Sequence, residues 1–388
     1  MPFTFYIFLY CSFLFILGEN SKEKKFLYLV LTLPVLIFIH SFIDPFSITD
    51  LPAYKEGFRD VSSFNIFNIK DIEIFQSFYK FEYGFIFLLK VVSLLTNDFV
   101  IFLCLSSCLY LGINSALFLR YSSNICVSIL VLLVVFFDQS IFVLRQYLSI
   151  AVVMLSIPAV IDRKLVRFLT IMVVAFLLHK SSLIWAFIYF FYGVKKEWKI
   201  VLSLGLGTIA LSVMCNNLSF LNNQFSLGYS SYIDGARSDH ANYVQFFVSL
   251  SMFVVYIAVL KRKIWDEGIN KLCTLSIFVL VVMSLIGTNI GILSRFVLVF
   301  ETSLLFIIPK VYVSIKNRVM RTLYLFFSLG LYAYITYFGS FSKYMEKAHL
   351  LIPSLVQIFC YMVLTIIVFI LLNKSIRLRN NESTNMVH

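Results

Sequence analysis

Charge-free apolar runs such as Leu272–Ile286 recur from one end of this 388-residue chain to the other. A helix needs about 20 apolar residues to cross the roughly 30 Å of hydrocarbon in a bilayer. Here runs near that length follow one another with only polar breaks between them. With 60% of residues hydrophobic, 13% charged and a mean hydropathy of +0.91, a soluble globular domain is excluded. A β-barrel would show short alternating segments instead. The expected fold is all-α: a polytopic integral membrane protein with about 12–14 membrane helices, short or re-entrant ones included. The helices are expected at 2–17, 26–43, 81–97, 99–119, 125–137, 141–161, 168–192, 200–215, 246–260, 272–290, 296–315, 322–338 and 353–373. Pro2–Leu17 has no basic residue before it and no small-x-small site after it, so it reads as a retained helix and not as a signal peptide.

The net charge of +12 suggests nucleic acid until its placement is considered. Six polar breaks carry three basic residues each: Lys22/Lys24/Lys25, Arg163/Lys164/Arg167, Lys195/Lys196/Lys199, Lys261/Arg262/Lys263, Lys316/Arg318/Arg321 and Lys374/Arg377/Arg379. Short loops rich in Lys and Arg stay cytoplasmic, so the charge reports topology and not a nucleic-acid partner. Two longer breaks, 44–80 and 216–245, lack this bias and are expected outside. A single membrane domain over 1–373 is expected, followed by a disordered cytoplasmic tail at 374–388.

This topology closes from Lys195 onward but not before. Five apolar runs lie between Lys25 and Arg163, where two cytoplasmic ends require an even number. Either 81–97, which holds Lys90, or the short 125–137 fails to span. The 168–192 run must return to the side it left, as a re-entrant pair with His179-Lys180-Ser181-Ser182 at its tip. A single span there would violate the charge rule. The seven cysteines lie mostly in apolar runs, without a Cys-x-x-Cys pair or a His cluster, so neither a zinc site nor a disulfide framework is expected.

Three cations stand out against this background: Arg145 inside 141–161, His179 inside 168–192, and Arg295 between two apolar runs. A charge at membrane depth costs roughly 2.5–3.5 kcal/mol on insertion scales and usually faces a cavity, a partner or a ligand. The plainer readings are an ion pair of Arg145 with Asp138 or Asp162, snorkelling of Arg295 to headgroups, and a packed His179. The functional reading is an anionic ligand handled within the membrane. In the outer loop, Arg237, Asp239 and His240 sit among tyrosines, a mixture shared by sugar-binding and simply solvated loops.

The order Asp50-x-x-x-Tyr54, Glu82-Tyr83-Gly84-Phe85, Arg145-Gln146-Tyr147, His179-Lys180-Ser181-Ser182 and Ser294-Arg295-Phe296 resembles the EpsG-like family of polysaccharide polymerases, which includes Wzy-type O-antigen polymerases. The resemblance covers roughly residues 45–310, with Tyr83 where the family often has Pro. It implies a GT-C-like glycosyltransferase of the bacterial inner membrane, working at the periplasmic face; no aspartate cluster resembling a metal site lies near these residues, so neither metal nor cofactor is expected. The growing glycan would pass from undecaprenyl diphosphate onto the terminal sugar of a lipid-linked repeat unit. The implied partners are that lipid-linked oligosaccharide, membrane lipid and a chain-length regulator protein. His179 then serves as the base, with Asp50 or Glu82 as substitute, while Arg145 and Arg295 bind diphosphate; a guanidinium suits that role by its bidentate fork and permanent charge. Asp50, Tyr54, Glu82, Tyr83, Tyr147, Lys180, Arg237, Asp239 and His240 are the expected substrate contacts. The competing functions are an O-antigen ligase and a flippase for the lipid-linked unit.

Overall fold

The computed structural model describes residues 9–12, 14, 22–48, 50–195, 243–266, 268–287, 293–338 and 349–385. The expected helix at 200–215, most of the helix at 2–17 and nearly all of the 216–245 loop lie outside these residues.

The described chain is helical, with one isolated β-bridge between Ile43 and Leu350. Helices α1 (Lys22–Ser41), α2 (Leu51–Asp60), α3 (Ile69–Tyr79) and α4 (Tyr83–Ser93) come first. They are followed by α5 (Phe99–Tyr121), α6 (Ile125–Phe142, π-helical over Leu132–Phe137), α7 (Leu144–Met154) and α8 (Ile157–Ile161). Next come α9 (Leu165–Leu178), α10 (Ala186–Tyr192), α11 (Tyr243–Leu260) and α12 (Ile269–Gly287). The last are α13 (Leu293–Glu301), α14 (Leu304–Ser314), α15 (Arg318–Phe338) and α16 (Leu355–Asn385). Six described segments are long and apolar enough to cross a membrane: Phe99–Tyr121, Ile125–Phe142, Tyr243–Trp265, Ile269–Ile286, Arg295–Ser314 and Leu355–Lys374. The protein is an all-α, multi-pass membrane protein. Helix α16 continues to Asn385, where the sequence pattern predicts a disordered tail from residue 374.

The chain forms two compact units. The first comprises Met1–Ser156, Thr170–Lys180 and Tyr332–His388; the second comprises Ile157–Leu169 and Ser181–Leu331. In the first unit α5 packs against α1, α7 and α16. Small residues allow the close approach, as at Gly112, where an added Cβ would lie 3.3 Å from Val368 of α16. His40 of α1 ties the unit internally, its ring nitrogens 2.7 Å from Ser107 Oγ and 3.1 Å from Ser140 Oγ.

Two irregularities change the expected helices of the first half. The expected 81–97 helix is reduced to α4, 11 residues or about 16 Å, half a hydrocarbon layer. The expected 125–137 helix extends to Phe142 and is long enough to span. Helices α4 and α7, 11 residues each, both fall short of a hydrocarbon layer, so the five expected runs between Lys25 and Arg163 are not five full-length helices. The expected 141–161 helix is interrupted at Val143, whose φ of −110° and ψ of 51° end α6. There the chain reverses: Phe136 and Tyr147, about 16 Å apart on a straight helix, have ring centroids 6.4 Å apart.

The 168–192 run is a broken hairpin. Helix α9 ends before His179, a 3₁₀ stretch covers Lys180–Trp185, and α10 runs back. In the second unit the two arms meet at their ends. Phe168 stacks on Tyr189 at 4.6 Å, Tyr189 Oη donates to the Arg163 carbonyl at 3.0 Å, and the Arg163 guanidinium donates to the Tyr189 carbonyl and sits against Gly193.

If α4 does not cross, cysteines placed at Ser62 and Thr96 in a background without native cysteines will react with an impermeant maleimide from the same side of the membrane. Labelling from opposite sides would make α4 a span.

Candidate functional site

The 44–80 segment, expected as a loop, is built of helices that aim one carboxylate. Asn68 starts α3 by accepting from the Lys70 N–H at 3.1 Å. Its far end is clamped to the end of α2: Tyr79 donates to Asp60 at 2.5 Å, and Arg59 Nε donates to the same carboxylate at 2.9 Å. Burial and the Asp60 carboxylate push the Tyr79 phenol up to about 12, so it stays a donor. Lys90 of α4 donates to the carbonyls of Val61, Ser62 and Phe64 at 3.1, 2.8 and 2.9 Å, fixing α4 beneath the same turn. Helix α3 stops at Lys80, which takes the left-handed conformation (φ 52°) usually left to glycine at a helix C-terminus. Glu82 follows at the N-cap position of α4 in extended conformation (φ −74°, ψ 152°). Its side chain makes no capping hydrogen bond there and is used elsewhere.

The Glu82 carboxylate bridges Arg145 and His179, two of the three groups that the sequence singles out. Arg145 Nη1 donates to Oε2 at 2.6 Å, and His179 Nδ1 lies 2.7 Å from Oε1. Arg145 stands in the first turn of α7, just after the reversal at Val143. Its Nη1 also donates to the Lys80 carbonyl at 3.1 Å, and its Nε faces the Tyr54 hydroxyl at 3.5 Å. The guanidinium lies 4.8 Å from the Phe81 ring centroid, 5.6 Å from Tyr54 and 5.8 Å from Phe85, an aromatic cup that holds it by cation–π attraction. Nη2 has no hydrogen-bond partner among the described residues, and the side chain keeps 19% of its surface exposed.

His179 is positioned from below. Its N–H closes α9 onto the Ala175 carbonyl at 2.9 Å, and the same carbonyl accepts from Ser149 Oγ of α7 at 2.7 Å. Arg145 and His179 are each one turn from this clip. Gly84 completes the geometry: a Cβ at this position would lie 2.7 Å from the Leu177 carbonyl carbon and 2.8 Å from its oxygen, so only glycine lets α4 rest on the end of α9.

These positions set the electrostatics. Burial alone would raise the Glu82 carboxyl, but the hydrogen bond from His179 and the charges of His179 and Arg145 outweigh it and hold the group down to about 2. Glu82 is therefore ionised at any physiological pH. With Nδ1 on Glu82, the imidazole turns Nε2 away from the carboxylate, the orientation in which a carboxylate supports a neighbouring imidazolium during proton transfer. The arrangement offers an anion a fixed guanidinium with N–H groups to spare, beside a ring nitrogen suited to taking a proton. Among the described residues no three His, Cys, Asp or Glu side chains converge as metal ligands would.

Of the expected residues, Arg145, His179, Glu82 and Tyr54 come together in the first unit. Arg145 pairs with Glu82 and not with Asp138 or Asp162, a pairing no local pattern shows because it spans 63 residues. Asp50 is exposed at the N-cap of α2, one turn before Tyr54. Tyr83 is exposed at the start of α4 and Lys180 is exposed next to His179. Tyr147 faces the interior, its hydroxyl 2.7 Å from Gln139 Oε1 and its ring against Tyr110. Arg295 stands half-buried on α13 in the second unit. Arg237, Asp239 and His240 lie outside the described residues. The sequence pattern does not point to the Lys80 carbonyl, Phe81 or Gly84. A glycine two residues after an acidic N-cap is the one available signal, marking a close approach at that helix start.

Gly84→Ala should separate α4 from α9, costing about 1–3 kcal/mol and weakening the Glu82–His179 contact; an unchanged melting temperature would remove the close-approach argument. Because Glu82 is held below its ordinary value of 4.5, its contribution is complete above that pH and is lost as pH falls toward about 2. Over that window the wild-type protein should lose about 3 kcal/mol of stability that Glu82→Gln does not lose. Parallel pH–stability curves for the two proteins would contradict this.

The EpsG family profile matches residues 45–354, extending past the residues that carry the resemblance. No curated protein and no solved structure shows significant similarity to the chain. With most of its length matched, including every residue of the Glu82 cluster, the chain belongs to the EpsG family and is a polymerase-like membrane protein of polysaccharide biosynthesis.

Proposed function

We propose that this protein is a polysaccharide polymerase that transfers a growing glycan from undecaprenyl diphosphate onto the terminal sugar of a lipid-linked repeat unit. The observation that carries the reading is the Glu82 bridge, which holds a guanidinium with unused N–H groups beside an oriented imidazole. In this reaction the acceptor hydroxyl oxygen bonds to the anomeric carbon of the donor, and the bond from that carbon to the diphosphate oxygen breaks. The hydroxyl proton passes to His179 Nε2, and Glu82 stabilises the imidazolium that results. Charge growing on the departing diphosphate is met by Arg145, a cation that needs no reorganisation as the bond breaks because Glu82, Lys80 and three rings already hold it. Arg295 is the candidate cation for the second diphosphate. The basic triplets support an inner-membrane protein with this chemistry on the periplasmic face, where a chain-length regulator would act.

Purified protein supplied with the lipid-linked repeat unit should yield a ladder of chain lengths. Translocation of the unit without new bonds would instead identify a carrier, and transfer to a lipid A core would identify a ligase. Arg145→Ala and Arg295→Ala should each abolish the ladder while the protein remains in the membrane. His179→Gln should slow it by about 10²–10⁴-fold, the usual range for loss of a general base. A normal ladder from any one of these variants removes that residue from the reaction.

A further inference from the structure

On the other side of α2 from Arg145, the first unit holds a cleft of about 640 Å³ that the proposed chemistry does not use. Its size falls in the range of small-molecule sites, roughly 300–1,000 Å³. Pro52, Lys55, Glu56 and Arg59 of α2 line it, whereas Tyr54 of the same helix faces the Arg145 guanidinium. A helix is about 10–12 Å across with its side chains, so the cleft and the guanidinium lie on two faces of one helix.

The lining points to a neutral polyhydroxylated ligand. Lys55 and Arg59 stand against Asp44, Glu56 and Asp98, a net charge of only −1 that repels a strong anion. Three of these five charged groups are already engaged, which weakens their pull on a cation. Asp44 pairs with His349 at 2.8 Å, Asp98 accepts from Gln357 Nε2 at 2.6 Å and from the Val100 N–H at 2.9 Å, and Arg59 pairs with Asp60. Phe46 presents a flat apolar face at the rim, 69% exposed, with the Lys55 ammonium 4.4 Å from its ring centroid. Exposed aromatic surface flanked by carboxylate acceptors, an ammonium and amide groups matches the two aspects of a sugar: an apolar C–H face and a rim of hydroxyls that both donate and accept.

We infer that this cleft binds neutral sugar residues of the glycan, holding them beside the Arg145 site. The inference rests on the polymerase reading for the source of the sugar. The probe is the oligosaccharide of one repeat unit, released from its lipid diphosphate by mild acid and titrated calorimetrically into the full-length protein in detergent. It should bind the wild type, bind about tenfold more weakly to Phe46→Ala and to Lys55→Gln, and be unaffected by saturating pyrophosphate. Phe46 is exposed, so its truncation leaves the interior packing intact. Absence of binding, wild-type affinity in both variants or competition by pyrophosphate would each overturn the proposal. Tighter binding of the single unit than of released polymer assigns the cleft to the acceptor; the reverse order assigns it to the growing chain. The ladder assay on the same preparation keeps the two readings apart. A ladder without oligosaccharide binding ends the cleft proposal alone, and cleft binding without a ladder ends the polymerase reading alone.

Discussion

One carboxylate organises the first unit. Glu82 accepts from Arg145 with one oxygen and meets His179 with the other, and the three groups come from the starts of α4 and α7 and the end of α9. The anion holds a permanent cation on one side and, on the other, an imidazole that becomes a cation when it takes a proton. Removing it would break two contacts at once, one to each of these groups. Much of the local architecture serves this contact, including the left-handed turn at Lys80, the Tyr79–Asp60 clamp and the bare backbone at Gly84.

The helices that bring the three groups together are short or broken. Helix α4 covers only half a hydrocarbon layer, α6 gives way to α7 by a reversal at Val143, and α9 stops at His179. Breaks of this kind free backbone polar groups, and at membrane depth those must be satisfied by the protein or by water in a cavity. Here the breaks are also the places where charged side chains occur. An arginine in the first turn of a helix and a histidine just after the end of another can meet a third helix start without any side chain crossing apolar packing. In the second unit, the hairpin arms are joined through Arg163 and Tyr189, a basic residue of the sequence pattern given a structural role as well as a topological one.

Part of this arrangement is legible in the amino-acid order alone. Arg145 and His179 are visible as charges in apolar runs because insertion energetics make such residues rare. The hairpin at 168–192 follows from the charges flanking it. Glu82 is harder to rank, since a carboxylate at a helix start is ordinarily a capping group, and only the fold shows that its side chain is turned away from that role. The 44–80 segment resembles a loop in its mixed charge and polarity; its helices α2 and α3 are short and rely on packing of residues such as Phe58 and Phe75 for their stability. Tyr147 stands out in the chain by its nearness to Arg145, although residues two apart on a helix face different ways.

The sequence by itself determined the class: apolar length and the distribution of lysine and arginine make this a multi-pass helical membrane protein, because hydrocarbon leaves an isolated chain few other ways to satisfy its backbone. It also singled out the cations, since each is costly where it stands. Only the tertiary structure decided which anion answers them, which runs are short or broken and where a cleft opens beside α2. Those outcomes depend on contacts between residues 63 and 97 positions apart in the chain, such as Glu82 with Arg145 and Glu82 with His179. Periodicity and composition are local properties and carry no information about such distances.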